Sequence, residues 1–597
     1  MELPKRAKGD EFTRPGEYPE LRRRLREKSA GMRIPTVVAY AFDDRTRLLP
    51  YHFASMRMAP AGARGVAAAL HDSGLTRTRI VLQQWTANFD PRLARLDGEP
   101  IEMFLVSSMQ IHAERAYRLV ADACAIPKAD RSLIIAGGPK AIYEPWDFFD
   151  IEGDPELSAD VAVTGEEFVL AQLLDVLLDY RGENGHMRQA FLAARRDGAL
   201  EAVPGLVYCQ DDTPDAALIS TGIQRLVEDL DEFPHPIIGF RLLEPPHRCA
   251  ELRSRPLPES EVKRRSLVAS LSLSHGCKFN CDYCPIPAYN QRTYRHKSGE
   301  RIVDEIRQIR ERLGIRFFFG TDDNFFNHRA SVASMFETMS RAQVAGKPLG
   351  DVVCWGTEAT EFDTWKNRDL LPMARRAGLR ALWFGIEDIT ATLVRKGQSI
   401  GKTAELFALL NRHEIAPMPM MMHHDGQPLV SPKGLYGLLN QVRYLRDCGA
   451  QSMQVTVLTP AVGTRSYEGN YDRRLVFERI GGGRILQCHF DGNHVVASSS
   501  KSPWRMQLNI LAAYATYYNP ITTLRSLAMP VNRRMAKEIL FRHAIGMAGL
   551  IRTAVHSTTW AARLWRGPVV RSSRVPGPRR QLIDLSSSPQ QAERLTA

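Results

Sequence analysis

The segment Leu273-Ser274-His275-Gly276-Cys277-Lys278-Phe279-Asn280-Cys281-Asp282-Tyr283-Cys284 decides how this chain is read. Three thiols at spacings of four and three sit in a short loop directly after an apolar run, Leu267-Val268-Ala269-Ser270-Leu271, that reads as a strand. Such a loop can wrap one compact metal centre. Three soft sulfur ligands suit a cuboidal iron–sulfur cluster and leave one iron without a protein ligand. An open metal position is what substrate chemistry needs, as the contrast between catalytic and structural zinc illustrates. A zinc knuckle and an accidental grouping of thiols are the competing readings. Zinc would want a fourth Cys or His at regular spacing, and His275 is the near candidate.

Downstream of the loop, RIVDEIRQIRERLG predicts a helix with Ile302, Ile306, Ile309 and Leu313 on one face. Then come RFFFG, DVVCWGT, RALWFGIED, APMPMMM and MQVTVLTP, each apolar and each after a helical or polar interval. With the run before the cysteines these make six strands, which fit a partial (β/α)6 barrel over residues 263–490. Carboxylates close several of them: Asp322 and Asp323, Glu358 after Thr357, and Glu387 before Asp388. His423-His424-Asp425 follows the Met-rich run. Neighbouring strand residues point to opposite faces, so these histidines read as lining the barrel mouth rather than sharing a metal. Residues 491–570 are largely helical, and 571–597 is a Ser/Pro/Arg-rich tail expected to be disordered.

Upstream, residues 35–182 alternate short apolar runs (PTVVAYAF, RIVLQQW, EMFLVSSM, SLIIAGG, DVAVTGEE) with helical segments. The α/β class follows, with a doubly wound, Rossmann-like parallel sheet here. Ser107 and Ser108 close the third run, Gly137 and Gly138 the fourth, and Thr164, Gly165 and Glu166 the fifth. All belong at the carboxyl edge of one sheet, where such folds bind ligands and where small residues let a broad ligand approach the backbone. Residues 1–34 form a charged extension and 183–262 a mixed connector.

Composition narrows the class further. Among 597 residues, 44% are hydrophobic and 24% charged, ordinary values that exclude fibrous or wholly disordered chains. No run approaches the length of a transmembrane span, no signal-peptide core opens the chain, and nine scattered cysteines do not make a secreted disulfide framework, so a cytoplasmic location is expected. The net charge of +12 is concentrated. Residues 531–597 carry twelve basic and three acidic side chains, so the body is near neutral and nucleic acid is not expected as a partner. The helical stretch at 535–566 mixes Arg with Trp, Leu and Ile, which leaves open a peripheral membrane contact through the basic C-terminal helices.

Cys-Lys-Phe-Asn-Cys-Asp-Tyr-Cys at 277–284 matches a Cys-x3-Cys-x-aromatic-Cys signature, and on it the chain resembles the radical S-adenosylmethionine (SAM) superfamily. The resemblance implies a [4Fe-4S] cluster on Cys277, Cys281 and Cys284, with SAM on the unique iron and reductive cleavage to a 5′-deoxyadenosyl radical. It places Tyr283 near the adenine and Asp323, Thr357, Glu358 and Glu387 near the cofactor's polar groups. Leu458-Thr459-Pro460-Ala461-Val462-Gly463-Thr464 is similar to a turn after the sixth strand of that family.

The N-terminal landmarks, Ser107-Ser108, Gly137-Gly138 and Thr164-Gly165-Glu166, look like those of the cobalamin-binding domain that precedes the barrel in one large subgroup. The Asp-x-His-x-x-Gly motif for a lower axial histidine is absent, so neither His52 nor His112 is expected to coordinate cobalt. The resemblance then implies a methyltransferase that moves a methyl group from SAM, through cobalamin, to an unactivated carbon or phosphorus of a small-molecule or lipid-like substrate. An external one-electron donor of flavodoxin or ferredoxin type would serve it. A cyclase or rearrangement enzyme is the alternative, and a cobalamin-binding sensor would have no need of the cysteine loop.

Overall fold

The structure, a computed structural model, describes residues 12–46, 56–183, 185–246, 252–393, 396–529 and 534–587. They fall into two compact units, one drawn from the described residues of 12–44, 59–262 and 576–587, the other from those of 45–46, 56–58 and 263–575.

In the first unit, β1 (Thr36–Tyr40), β2 (Thr78–Leu82), β3 (Met103–Ser107), β4 (Leu133–Gly137) and β5 (Val161–Val163) pair in parallel in the order β2-β1-β3-β4-β5. Every residue of β1 is buried, as expected for a central strand covered by helices on both faces. Val37, Ala39, Phe104, Val106, Ile134 and Ala136 from three adjacent strands meet Leu119 and Val120 of the helix Ala113–Cys124 in one core. Burying a side chain of the Val or Ile kind is worth roughly 1.5–3 kcal/mol, so this core contributes substantially to the unit's stability. The strand order reverses direction at β1, and the switch point lies between the carboxyl ends of β1 and β3.

The connector expectation for 183–262 changes here. β6 (Leu206–Cys209) continues the same sheet antiparallel to β5, and β7 (Leu218–Ser220) pairs antiparallel with β6. The expected tail changes too: Leu582–Asp584 pairs in parallel with β7, and Arg580 forms an ion pair with Asp150. Part of 571–587 is therefore an edge strand and not a coreless tail. Backbone pairing with residues more than 350 positions away outweighs its polar composition.

In the second unit, β8 (Val268–Leu271), β9 (Phe317–Gly320), β10 (Cys354–Ala359), β11 (Leu379–Glu387), β12 (Ala416–His423) and β13 (Gln454–Val457) pair in parallel and in sequence order. Between β8 and β9 runs the helix Gly299–Leu313. It starts where the Ser298 side chain accepts the Arg301 N–H at 3.0 Å and ends at Gly314, whose φ of 68° is the left-handed conformation glycine supplies cheaply. Its buried face is Ile302, Ile306, Ile309 and Leu313. Beyond the barrel, the helix Pro503–Tyr517 is nailed to β13 and its approach by tyrosine hydroxyls. Tyr514 Oη accepts the Val455 N–H and donates to the Val455 carbonyl, both at 3.0 Å, and Tyr518 Oη does the same with Met453 at 2.8 Å. The 31-residue helix Ala536–Arg566 packs on this layer. No helix among the described residues is long and apolar enough to cross a membrane.

Candidate functional site

The cysteine loop leaves the carboxyl end of β8 and is held by side chains from the next strand's end. Asp322 is buried and accepts the backbone N–H groups of Leu273 at 3.1 Å and Ser274 at 2.6 Å, plus the Ser274 hydroxyl at 3.0 Å. Its other oxygen takes the hydroxyl of Thr357 from β10. Asp323 accepts the Gly276 N–H at 2.7 Å and the Asn290 amide at 3.1 Å. Gly276 has a φ of 93°, and a Cβ there would lie 1.9 Å from the Thr293 carbonyl oxygen. Only glycine fits. From the far side, Arg465 donates to the Asn280 carbonyl at 2.8 Å and pairs with Asp282, and Ser466 donates its N–H to the Asp282 carbonyl at 3.1 Å.

Cys277, Cys281 and Cys284 are free thiols within this frame. Burial pushes Cys277 up to about 11 and Cys284 up to about 12, and raises Cys281. Desolvated thiols of this kind become thiolates when a bound metal compensates the charge, so the donor set fits an iron–sulfur cluster. Cys354, Cys448 and Cys488 have no cysteine neighbour at ligand spacing in the sequence.

The predicted cofactor residues divide into two groups. Asp323 accepts the Gly276 N–H of the loop, and Thr357 donates its hydroxyl to Asp322, which in turn holds the loop. Glu358 and Glu387 do not touch the loop's backbone in this way. Burial, reinforced by the carboxylates of Asp323, Asp322 and Glu387, pushes Glu358 up to about 8. Glu387 sits at a φ of 57° and pairs with Lys396 at 3.0 Å, while Lys396 Nζ lies 5.7 Å from the centre of the Tyr283 ring. Sequence reading did not find Lys396, which lies in a polar loop with no local pattern. It also passed over the division of labour between Asp322 and Asp323, which only the folded loop reveals.

His423 and His424 turn to different partners. Both ring nitrogens of His423 are engaged, with Gln427 at 2.9 Å and Asn509 at 3.0 Å. His424 instead lines a cavity of about 360 Å3 with Thr459, Pro460, Asn470, Arg473 and Met506. Its Nε2 is buried and bonds to no group among the described residues. Ser466, also in the wall, is the residue bonded to Asp282, so this cavity and the cysteine loop share a boundary.

In the first unit, Tyr40, Ser107 and Gly137 are register neighbours across the carboxyl ends of β1, β3 and β4. A Cβ on Gly137 would meet nothing within 4 Å, whereas Gly138, at a φ of 82°, would drive one to 2.9 Å from the Ser108 backbone. Lys140 donates its N–H to the Ser108 carbonyl at 3.0 Å and buries its ammonium against Glu144 and Asp147, both at 2.5 Å. Beside Thr164, Gly165 would place a Cβ 2.4 Å from Gln224, which accepts the Glu166 N–H at 2.7 Å. The edge is therefore built of small side chains and backbone. His112 is buried, and its Nδ1 accepts the Asp43 N–H at 3.0 Å, which leaves the proton on Nε2. Burial pushes it down to about 4, so it is neutral. His52 and most of the segment 48–58 lie outside the described residues.

Comparison with known proteins agrees with this geometry. Residues 271–428 match the Radical SAM superfamily. The chain is 23% identical over 341 residues to the cytidylyl-2-hydroxyethylphosphonate methyltransferase of Streptomyces wedmorensis, covering 55% of this chain and 59% of that one. It is 26% identical over 151 residues to the anaerobic magnesium-protoporphyrin IX monomethyl ester cyclase of Cereibacter sphaeroides, covering 25% of this chain and 24% of that one. In each case the match spans less than two thirds of the relative's own length. The solved structure of the radical SAM methyltransferase TsrM from Kitasatospora setae, with cobalamin and a [4Fe-4S] cluster bound, superposes with a TM-score of 0.54 at 14% identity, over 86% of this chain and 99% of that one. The match to the Radical SAM superfamily thus lies in the segment that carries the cysteine loop, and the fold resembles that of the cobalamin-bound TsrM structure.

Proposed function

We propose that the protein is a cobalamin-dependent radical SAM methyltransferase acting on an unactivated carbon or phosphorus of a small-molecule or lipid-like substrate. The observation that carries this reading is the cysteine loop itself, a three-thiol donor set fixed by Asp322 and Asp323 at the open end of a parallel barrel. When bound, the cluster with SAM supplies a carbon-centred radical for hydrogen abstraction, and cobalamin carries the methyl group. Cys277, Cys281 and Cys284 would hold the cluster. Tyr283, Glu358 and Glu387 would meet SAM, with Asp323 and Thr357 positioning the loop behind them. Ser107, Ser108, Gly137, Gly138, Thr164, Gly165 and Glu166 would border the cobalamin. The cavity at His424 and Arg473 would take the substrate, with His424 Nε2, unbonded among the described residues, as a polar contact. A flavodoxin- or ferredoxin-type donor would supply the electron.

Similarity to the cyclase favours one second reading, a cobalamin-dependent cyclisation or rearrangement without methyl transfer. Reconstituted protein incubated anaerobically with cell extract, a reductant and methyl-labelled SAM separates the two. Label in a new small molecule supports methyl transfer. A new product without label, alongside labelled methionine, supports the cyclase. SAM left uncleaved under every condition would overturn both.

A further inference from the structure

The helix Ala536–Arg566 has two opposite seams. One, at Ile539, His543, Gly546, Thr553, Ser557, Trp560 and Leu564, is buried in the unit. There Gly546 lets the Tyr518 ring approach so closely that a Cβ would lie 2.1 Å from it, and Trp560 donates its indole N–H to the Val495 carbonyl at 3.1 Å. The other seam runs Phe541, Ala544, Ala548, Ile551, Val555, Thr558, Ala562, Trp565, spaced alternately by three and four residues, and is turned outward. Its large members are among the most exposed hydrophobics of the chain: Phe541 64%, Ile551 72%, Val555 65% and Trp565 67%. The helix Pro520–Ala528 packed beside it adds exposed Ile521 and Leu524. Isolated exposed apolar residues are ordinary, but a continuous stripe of this kind marks a contact surface.

Charge selects what it contacts. Lys537, Arg552 and Arg566 are exposed on this helix and Arg525 and Arg534 nearby, while Glu538 is the one acidic residue of the 31. A second copy of the same helix would bring arginine against arginine with no glutamate series to pair them, contrary to how helix seams choose partners. An anionic bilayer matches both features, with apolar side chains dipping into the acyl boundary and cations meeting headgroups. We infer that the outward face of Ala536–Arg566 docks this protein on the surface of an anionic membrane without crossing it. This inference rests on the surface alone and stands or falls separately from the methyltransferase reading.

The test uses the full chain with its cofactors reconstituted and sedimentation with vesicles of phosphatidylcholine, either pure or containing phosphatidylglycerol. At low salt, at least tenfold tighter association with the anionic vesicles is expected, together with a blue shift of Trp fluorescence and its quenching by brominated acyl chains. Phe541→Glu/Ile551→Glu/Val555→Glu is expected to reduce association at least tenfold while iron content and the thermal unfolding curve stay as in the wild type. The milder Ile551→Gln/Val555→Gln should lower it severalfold, and serves if the triple variant fails to fold. Equal recovery of wild type in the supernatant with both vesicle types would overturn the inference. So would wild-type binding by either variant, or a dimer in light scattering that the glutamate substitutions abolish, which would assign the face to a second copy.

Discussion

In the barrel the cysteine loop is anchored by side chains. Asp322 and Asp323 take five donors between them from the loop, from Thr357 and from Asn290, excluding the backbone N–H of Leu273 at the loop's approach. At the sheet edge of the N-terminal unit, the proposed cobalamin surface is instead shaped by backbone and by missing side chains at Gly137, Gly138 and Gly165. The first plan positions chemical groups, and the second makes room. Changes to the loop should therefore cost both stability and metal, whereas changes to the edge should separate the two.

Gly276→Ala is expected to have the largest effect. Its Cβ would meet a backbone oxygen at 1.9 Å in a left-handed conformation, so the loop must shift. A loss of about 3 kcal/mol and a severalfold fall in iron loading are expected, read by denaturant unfolding and iron analysis. Unchanged stability would mean the loop is not held as described.

The edge glycines sharpen the contrast. Gly138→Ala should destabilise by about 1–3 kcal/mol, because its Cβ strikes the Ser108 backbone. Gly137→Ala should leave stability within about 0.5 kcal/mol yet weaken cobalamin binding at least tenfold by equilibrium titration, since its Cβ would stand in open space at the sheet edge. Equal cobalamin affinity in Gly137→Ala would remove that edge as the binding surface.

Glu358 gives a pH signature to the barrel alone. Its folded value of about 8 lies above its ordinary 4.5, so ionising it costs stability. That cost is absent below about pH 4.5, grows as pH rises, and is complete above about pH 8. Between pH 5 and 9 the wild type should lose roughly 2 kcal/mol relative to Glu358→Gln, allowing for partial access of water. Parallel stability curves for the two proteins would contradict the buried acidic cluster. The smallest effect is expected at His112, whose Nδ1 is already committed to Asp43. The electron paramagnetic resonance spectrum of bound cob(II)alamin should be the same in wild type and His112→Gln. A nitrogen splitting that vanishes in the variant would make His112 an axial ligand.

Both regions were unequally visible in the sequence, for a physical reason. Buried strands such as Thr36–Tyr40 and helices such as Gly299–Leu313 carry their own periodicity, and the cysteine triplet is local. What escaped depends on distant partners. Leu582–Asp584 is three residues long and becomes a strand only beside β7. Lys396 acquires meaning only against Glu387 and Tyr283. Thr357 reads as a cofactor contact from its strand end, but its hydroxyl is taken by Asp322. The exposed seam of Ala536–Arg566 is visible as periodicity, whereas which of its two apolar sides faces outward is set by Gly546 and Trp560 against the barrel layer.

The central claim is that Cys277, Cys281 and Cys284 hold an iron–sulfur cluster while the other unit binds cobalamin independently. It is tested most directly by changing all three to Ala and measuring both cofactors in anaerobically reconstituted protein. Loss of the brown absorbance near ~400 nm and of iron to background, with cobalamin uptake equal to wild type, is the predicted result. Full iron content in the triple variant would contradict the account.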